Sequence, residues 1–181
     1  MTRYRPAHRG SAQLCSLALG VACASEPGVR SLTVPPPDGF ASVSTALGKR
    51  CGSLDCHGRS EQNLRLYGEI GLRLDALDLP GGEEATLLEH EANYRSIIAF
   101  EPEVLELVWL EGGRSPARLT LVRKARGREA HKGGSVFPEG DAGDVCLSSW
   151  LSGATDVEKC DAASELPPSP FAPCCVPTEP E

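Results

Sequence analysis

Apolar residues return at helical intervals in five stretches of the chain, and turns rich in glycine and proline separate them. Phe40, Val43 and Leu47 fall on one face of a short helix that runs directly into Cys51. Ala85, Leu88, Ala92, Tyr94 and Ile98 mark a second helix with those side chains facing inward. Pro102 suits the first turn of a third, which carries Val104, Leu105, Val108 and Trp109 and stops at Gly112-Gly113. Ser115-Pro116 reads as a cap and first turn leading to Leu119 and Val122, with Arg123, Lys124 and Arg126 at the negative helix end before Gly127. A last helix is expected from near Asp141, with Val145, Cys146, Trp150 and Leu151 ahead of Gly153. Only Leu64, Leu66, Leu72 and Leu74 alternate, around Gly68 to Gly71, as a small hairpin or extended loop would. The pattern therefore predicts an all-α domain with irregular loops.

The ends of the chain read differently. Arg3, Arg5 and Arg9 precede a short apolar run from Leu14 to Ala22, the layout of an export signal over 1–24 and too short a run to span a bilayer. Ala22-Cys23-Ala24 matches a signal-peptidase site, and Val21-Ala22-Cys23 matches the end of a lipobox, which makes Cys23 a lipidation candidate. A linker follows over 25–38, ending in the Pro35-Pro36-Pro37 run that forbids helix. The domain is expected over 39–160 and an unstructured, acidic, Pro-rich tail over 161–181. An exported protein is expected in the periplasm or held at a membrane through a lipid on Cys23.

Charge and composition narrow the partners. Loss of 1–24 removes three arginines and leaves fifteen basic side chains against twenty-five acidic, a net charge of −10. Such a polyanion is a poor ligand for nucleic acid or an anionic lipid surface, and it suits a partner protein with a basic docking face. Aromatic residues make up only 5% of the chain, so a bound macrocycle would supply bulk that its own rings do not.

The chemistry concentrates in Cys51-Gly-Ser-Leu-Asp-Cys56-His57-Gly58, straight after the first expected helix. Covalent attachment of haem c needs two thiols to add to the two vinyl groups and an imidazole next to the second thiol to reach the iron. Here four residues separate the cysteines instead of the familiar two, and the extra ones can bulge outward while the thiols and imidazole keep their places. Other readings of the same residues are a small-loop disulfide between Cys51 and Cys56, with His57 in solvent, and a zinc site short of a second ligand pair.

The run FASVSTALGKRCGSLDCHGRSEQNLRLY, from Phe40 to Tyr67, resembles the haem-attachment half of a single-haem cytochrome c domain. HKGGSVFPEGDAGDVCLSSWL, from His131 to Leu151, is similar to the second half of such domains in exported bacterial proteins of the planctomycete type. The resemblance implies a cytochrome c-like fold with its N- and C-terminal helices packed together, one covalent haem and electron transfer rather than catalysis. A His/Met iron centre is excluded for the mature chain, because its one methionine is Met1. The other axial ligand is then a second histidine, a lysine or nothing. His131 is preferred, since it sits beside the Gly133-Gly134 turn, which permits close approach to a flat ring. His90 competes, but between Glu89 and Glu91 it reads as a solvated surface residue.

Four further cysteines lie in the mature chain beyond Cys56, as an oxidising compartment permits. Cys146 with Cys160 is the favoured disulfide, because it pins the segment after the Trp-bearing helix back onto that helix, whereas adjacent Cys174 and Cys175 would form a strained bond. Trp109 and Trp150 read as core. No nucleophile elbow, H-E-x-x-H or phosphate-binding glycine loop is present. Three functions remain open from the sequence: an electron carrier, a disulfide-stabilised exported lipoprotein without haem, and a haem enzyme or sensor with an open iron position.

Overall fold

Gly39 turns the chain in the left-handed region, at φ 74°, and its missing side chain admits Thr155, whose Oγ1 would otherwise lie 2.6 Å from a Cβ. From that point helix α1 (Phe40–Cys51) buries Phe40, Val43, Ser44 and Leu47, the i, i+3, i+4, i+7 stripe of an amphipathic helix, with Ala46 beside it, and carries Lys49 and Arg50 in its last turn. The computed structural model describes residues 31–165. The export segment, Cys23, residues 25–30 of the linker, and the tail from 166 with Cys174 and Cys175 lie outside the described residues.

Six α-helices and no strand occur among the described residues: α1, α2 (Leu87–Ile98), α3 (Pro102–Leu110), α4 (Thr120–Ala125), α5 (Ala142–Leu151) and α6 (Val157–Ser164). A 3-10 turn, Pro116–Arg118, precedes α4. The expected hairpin is an extended loop with a single bridge between Tyr67 and Leu72. No helix among these residues is long and apolar enough to cross a membrane.

The core lies where α1, α5 and α6 meet. Phe40 and Trp150 pack with ring centres 4.8 Å apart, and Tyr94 of α2 closes on Phe40 edge-on at 5.4 Å. The proline run expected as linker is drawn into this core: Tyr94 Oη donates to the Pro35 carbonyl at 2.6 Å and Trp150 Nε1 to that of Pro36 at 3.3 Å. The side chain of Asp141 caps α5 by accepting the Asp144 amide, and Gly143 leaves room for the Phe137 ring, 2.0 Å from where a Cβ would stand.

Two features differ from the sequence-based expectation. Helix α6 was not foreseen, and it continues to Ser164, past residue 160 where the tail is placed above. It offers the core only Cys160 and Ala163, both fully buried and both small, so no apolar stripe announces it. The Cys146–Cys160 disulfide, the pairing favoured from the sequence, joins it to α5 with Cα atoms 4.7 Å apart.

Helix α2 turns inward only part of the expected face: Tyr94 and Ile98 pack against the core, but its most buried positions are others. Leu87 and Leu88 are exposed, while Glu89, Asn93 and Ile97 are buried at i, i+4, i+8. Polar partners dictate this orientation. Glu89 accepts Arg73 Nε at 2.8 Å, the Leu74 amide at 3.1 Å and the Thr86 amide at 2.8 Å, while Thr86 Oγ1 accepts the Glu89 amide in return. Asn93 pairs with both backbone groups of Tyr67 and donates to Ser44 Oγ. Burial alone would push the Glu89 carboxyl up, but Arg73 and the two amides outweigh it and hold it below the ordinary carboxylate range.

Candidate functional site

Cys51 closes α1, and the chain then folds back on itself. Gly52 N–H returns to the Gly48 carbonyl, Cys56 and Gly58 both donate to the Ser53 carbonyl, and the His57 amide donates to the Cys51 carbonyl, each at 2.9 Å. The residues that lengthen the spacing between the cysteines therefore form an outward turn, with Leu54 and Asp55 exposed at its tip. Three glycines make the return tight: a Cβ on Gly58 or on Gly71 would meet the Gly52 carbonyl oxygen at 1.8 Å. Nothing larger fits at either position.

His57 is oriented by backbone. Its Nδ1 lies 2.9 Å from the Leu64 carbonyl, which can only accept, so Nδ1 carries the proton and Nε2 keeps a free lone pair. The Leu66 amide donates to the His57 carbonyl at 2.8 Å, fixing the residue from its other side. Burial lowers the affinity of the imidazole for a proton, and His131 and Lys124 nearby add to that, against the opposing pull of the Leu64 carbonyl. The ring is thus kept neutral, the state that ligates a metal.

His131 faces it from 74 positions along the chain. The two ring centres are 6.0 Å apart and their planes 24° from parallel. His131 Nδ1 lies 3.3 Å from the Gly134 carbonyl, so this imidazole too has its Nε2 free. The turn that allows this needs its glycines: Gly134 sits at φ 63°, and a Cβ on Gly133 would stand 2.8 Å from His131 Cε1. Imidazole nitrogen bonds to a metal run about 2 Å, which places the centres of two rings that share one ion about 6 Å apart. The two rings are stacked at that distance, so the spacing, rather than the direction of the Nε2 lone pairs, is what matches.

Both imidazoles, with Cys51 and Cys56, line one cavity of about 270 Å³. Its walls are largely apolar, from Leu47, Leu64, Leu66, Phe100, Leu121 and Val136, with Gln62, Asn63 and Thr120 among them, while Lys124 and Lys132 add positive charge and Asp55 negative. Cys51 and Cys56 are free thiols, not a disulfide. Burial pushes the Cys51 thiol up to about 12, with Cys56 adding and Arg50 opposing. Among the described residues no group of three or more His, Cys, Asp or Glu is gathered around a bare ion. The donor set is two imidazoles across a largely apolar slot with two free thiols beside them, which fits a ring-bound metal held by thioethers.

His90 stands apart. Its Nδ1 pairs with Ser44 Oγ at 2.9 Å, and it lines a separate cavity of about 50 Å³ beside Tyr67 and Lys49. It is half-buried rather than solvated. Neither Trp109 nor Trp150 lines the larger cavity. The sequence reading did not single out Leu64, Lys124, Lys132 or the Gly52, Gly58 and Gly71 cluster. Of these, Lys132 adjoins His131 in sequence and Gly52 and Gly58 lie within the cysteine motif, whereas Gly71 lies 13 residues beyond it, and their meeting depends on long-range folding.

No family model, curated protein or solved structure matches this chain.

Proposed function

We propose that the protein is an exported, single-haem c-type cytochrome that carries electrons, with a cytochrome c-like fold in which α1 and the C-terminal helices pack together. The observation that carries this reading is the pair of opposed imidazoles, His57 and His131, 6.0 Å apart in a cavity that Cys51 and Cys56 also line. Haem, when bound, supplies a one-electron couple at iron.

The chain's own residues have separate tasks. Cys51, at the end of a rigid helix, and Cys56, on the turn that returns to it, offer the two sulfurs. Each thiol would add its S–H across one vinyl group, sulfur to one carbon and hydrogen to the other, so no separate reductant or leaving group is needed for the link. His57 and His131 present Nε2 because two carbonyls hold Nδ1. The apolar walls exclude water and so favour whichever oxidation state carries less net charge. With no methionine in the mature chain, the reduction potential should lie below that of a His/Met centre. Lys124 and Lys132 bring positive charge to a cavity in an otherwise acidic protein, so a docking partner that approaches there meets a different charge from the molecular average.

The test is haem staining after denaturing electrophoresis, on protein made in a host with cytochrome c maturation. A stained band that disappears in Cys51→Ser/Cys56→Ser is expected, because only a thioether link survives denaturation. His131→Ala should keep the stain and convert a six-coordinate spectrum into one that responds to carbon monoxide. A colourless wild-type protein overturns the proposal.

A further inference from the structure

We infer that Lys132 is a positioning residue, which latches the loop carrying His131 onto the turn between Cys51 and Cys56 and so gives the longer cysteine spacing a purpose. The inference rests on the haem reading above and extends it to how the second imidazole is held. The loop is anchored at its base to α4 and the residues that follow it: Arg128 donates to the Arg123 carbonyl, and Val136 and Phe137 both donate to that of Ala125, each at 2.9 Å. Between those anchors the chain makes its own tight turn, Gly134 N–H to the His131 carbonyl at 3.0 Å. Across the cavity mouth, Lys132 Nζ donates to the Asp55 carbonyl at 3.1 Å, a bond between residues 77 apart in sequence.

Asp55 is one of the four residues between the cysteines, and the outward turn of 53–56 is what exposes its carbonyl. The two imidazoles are not equally secured. His57 has a 2.9 Å bond to Leu64 and backbone bonds on both sides, whereas His131 has a 3.3 Å bond within its own loop. A charge-assisted bond from the neighbouring residue supplies the restraint that the weaker side lacks. Loss of the bond lets the loop swing at its glycines and lowers the fraction of molecules with His131 opposite His57.

The test compares wild type, Lys132→Met, which keeps the stem and loses the ammonium, and Lys132→Arg, which keeps the charge and donors. In haem-loaded full-length protein, Lys132→Met should raise the carbon monoxide association rate roughly five-fold through a larger open population, and Lys132→Arg should restore most of the difference. In protein without haem, amide exchange at 131–134 should rise in Lys132→Met while exchange in α1 stays as in wild type. Equal rates and equal exchange in Lys132→Met and wild type would overturn the latch, as would an Arg variant as impaired as the Met variant. Absence of haem from the wild type would sink the cytochrome reading instead, and the exchange measurement would still decide the latch.

Discussion

Where α1, α5 and α6 meet, Phe40, Trp150, Leu151 and Ala163 exclude water and a disulfide joins two of the three helices. The segment from 52 to 89 is ordered by other means. It buries Leu64 and Leu66 but leaves Leu74, Leu77 and Leu79 exposed, and it wraps instead around the Arg73 guanidinium, which meets Glu89 and the carbonyls of Glu83 and Glu84. Apolar packing can be weakened in steps, because each lost methylene removes a small, local share. A buried ion pair cannot, since removal of one partner strands the other's charge. Both regions serve the cavity: α1 ends in Cys51, and the irregular segment supplies Cys56, His57 and the Leu64 carbonyl that orients it. The site therefore has one flank held by apolar packing and one that depends on the Arg73 ion-pair cluster, chiefly on Glu89.

The strongest way to break this comparison is Glu89→Gln. Arg73 and Glu89 are 3% and 1% exposed at their side chains, so a neutral partner leaves a buried guanidinium with only the half-exposed Asp78, 3.5 Å away, as counter-charge. The expected loss is about 3–5 kcal/mol in denaturant unfolding, a large share of a typical domain's stability. Amide exchange should rise first in residues 64–89, while α1 and α5 remain protected. An equal rise in both regions would show that they do not differ as described.

Removal of the disulfide probes the other region with a smaller effect. Cys146→Ala/Cys160→Ala opens a closed loop of sequence separation 14, and chain entropy sets the cost at about 3 kcal/mol. Exchange should rise in α6, with the bond from His57 to Leu64 undisturbed. A change at Leu66 or Tyr67 as large as that in α6 would contradict the separation of the two regions.

These contrasts also explain what could be seen in the sequence. Helix α1 was legible because Phe40, Val43 and Leu47 bury large apolar groups at one spacing, and α3 and α5 because Pro102 and Asp141 mark their starts. Helix α2 was placed correctly in the chain, but its face was read only in part, because its most buried side chains include Glu89 and Asn93. Thr86-Leu-Leu-Glu89 does carry a capping-box signature, yet it does not reveal that Arg73 lies over the same carboxylate. Helix α6 has small buried residues and was invisible for that reason. At the proposed site, the cysteines and His57 stand together in sequence, so their shared place at the cavity is legible there. His131 could be named from its glycine turn, whereas the Leu64 carbonyl and the Asp55 carbonyl have no side-chain signature at all.

The smallest expected effect, and the one that sharpens the comparison most selectively, is acid titration. The folded Glu89 carboxyl lies below its ordinary value of 4.5, so the unfolded chain binds this proton more readily than the folded one. Its contribution to stability is fully present above 4.5 and is lost as pH falls through the lower folded value. In Glu89→Gln that part of the pH dependence is gone, so the difference in unfolding free energy between the variant and wild type should narrow steadily as pH drops from neutral through the carboxylate range. The disulfide variant provides the control, since neither sulfur titrates in the bonded form and its deficit should stay constant over the same range. A Glu89→Gln deficit independent of pH would mean that the segment 52–89 owes its order to packing after all, and the two regions would then be alike.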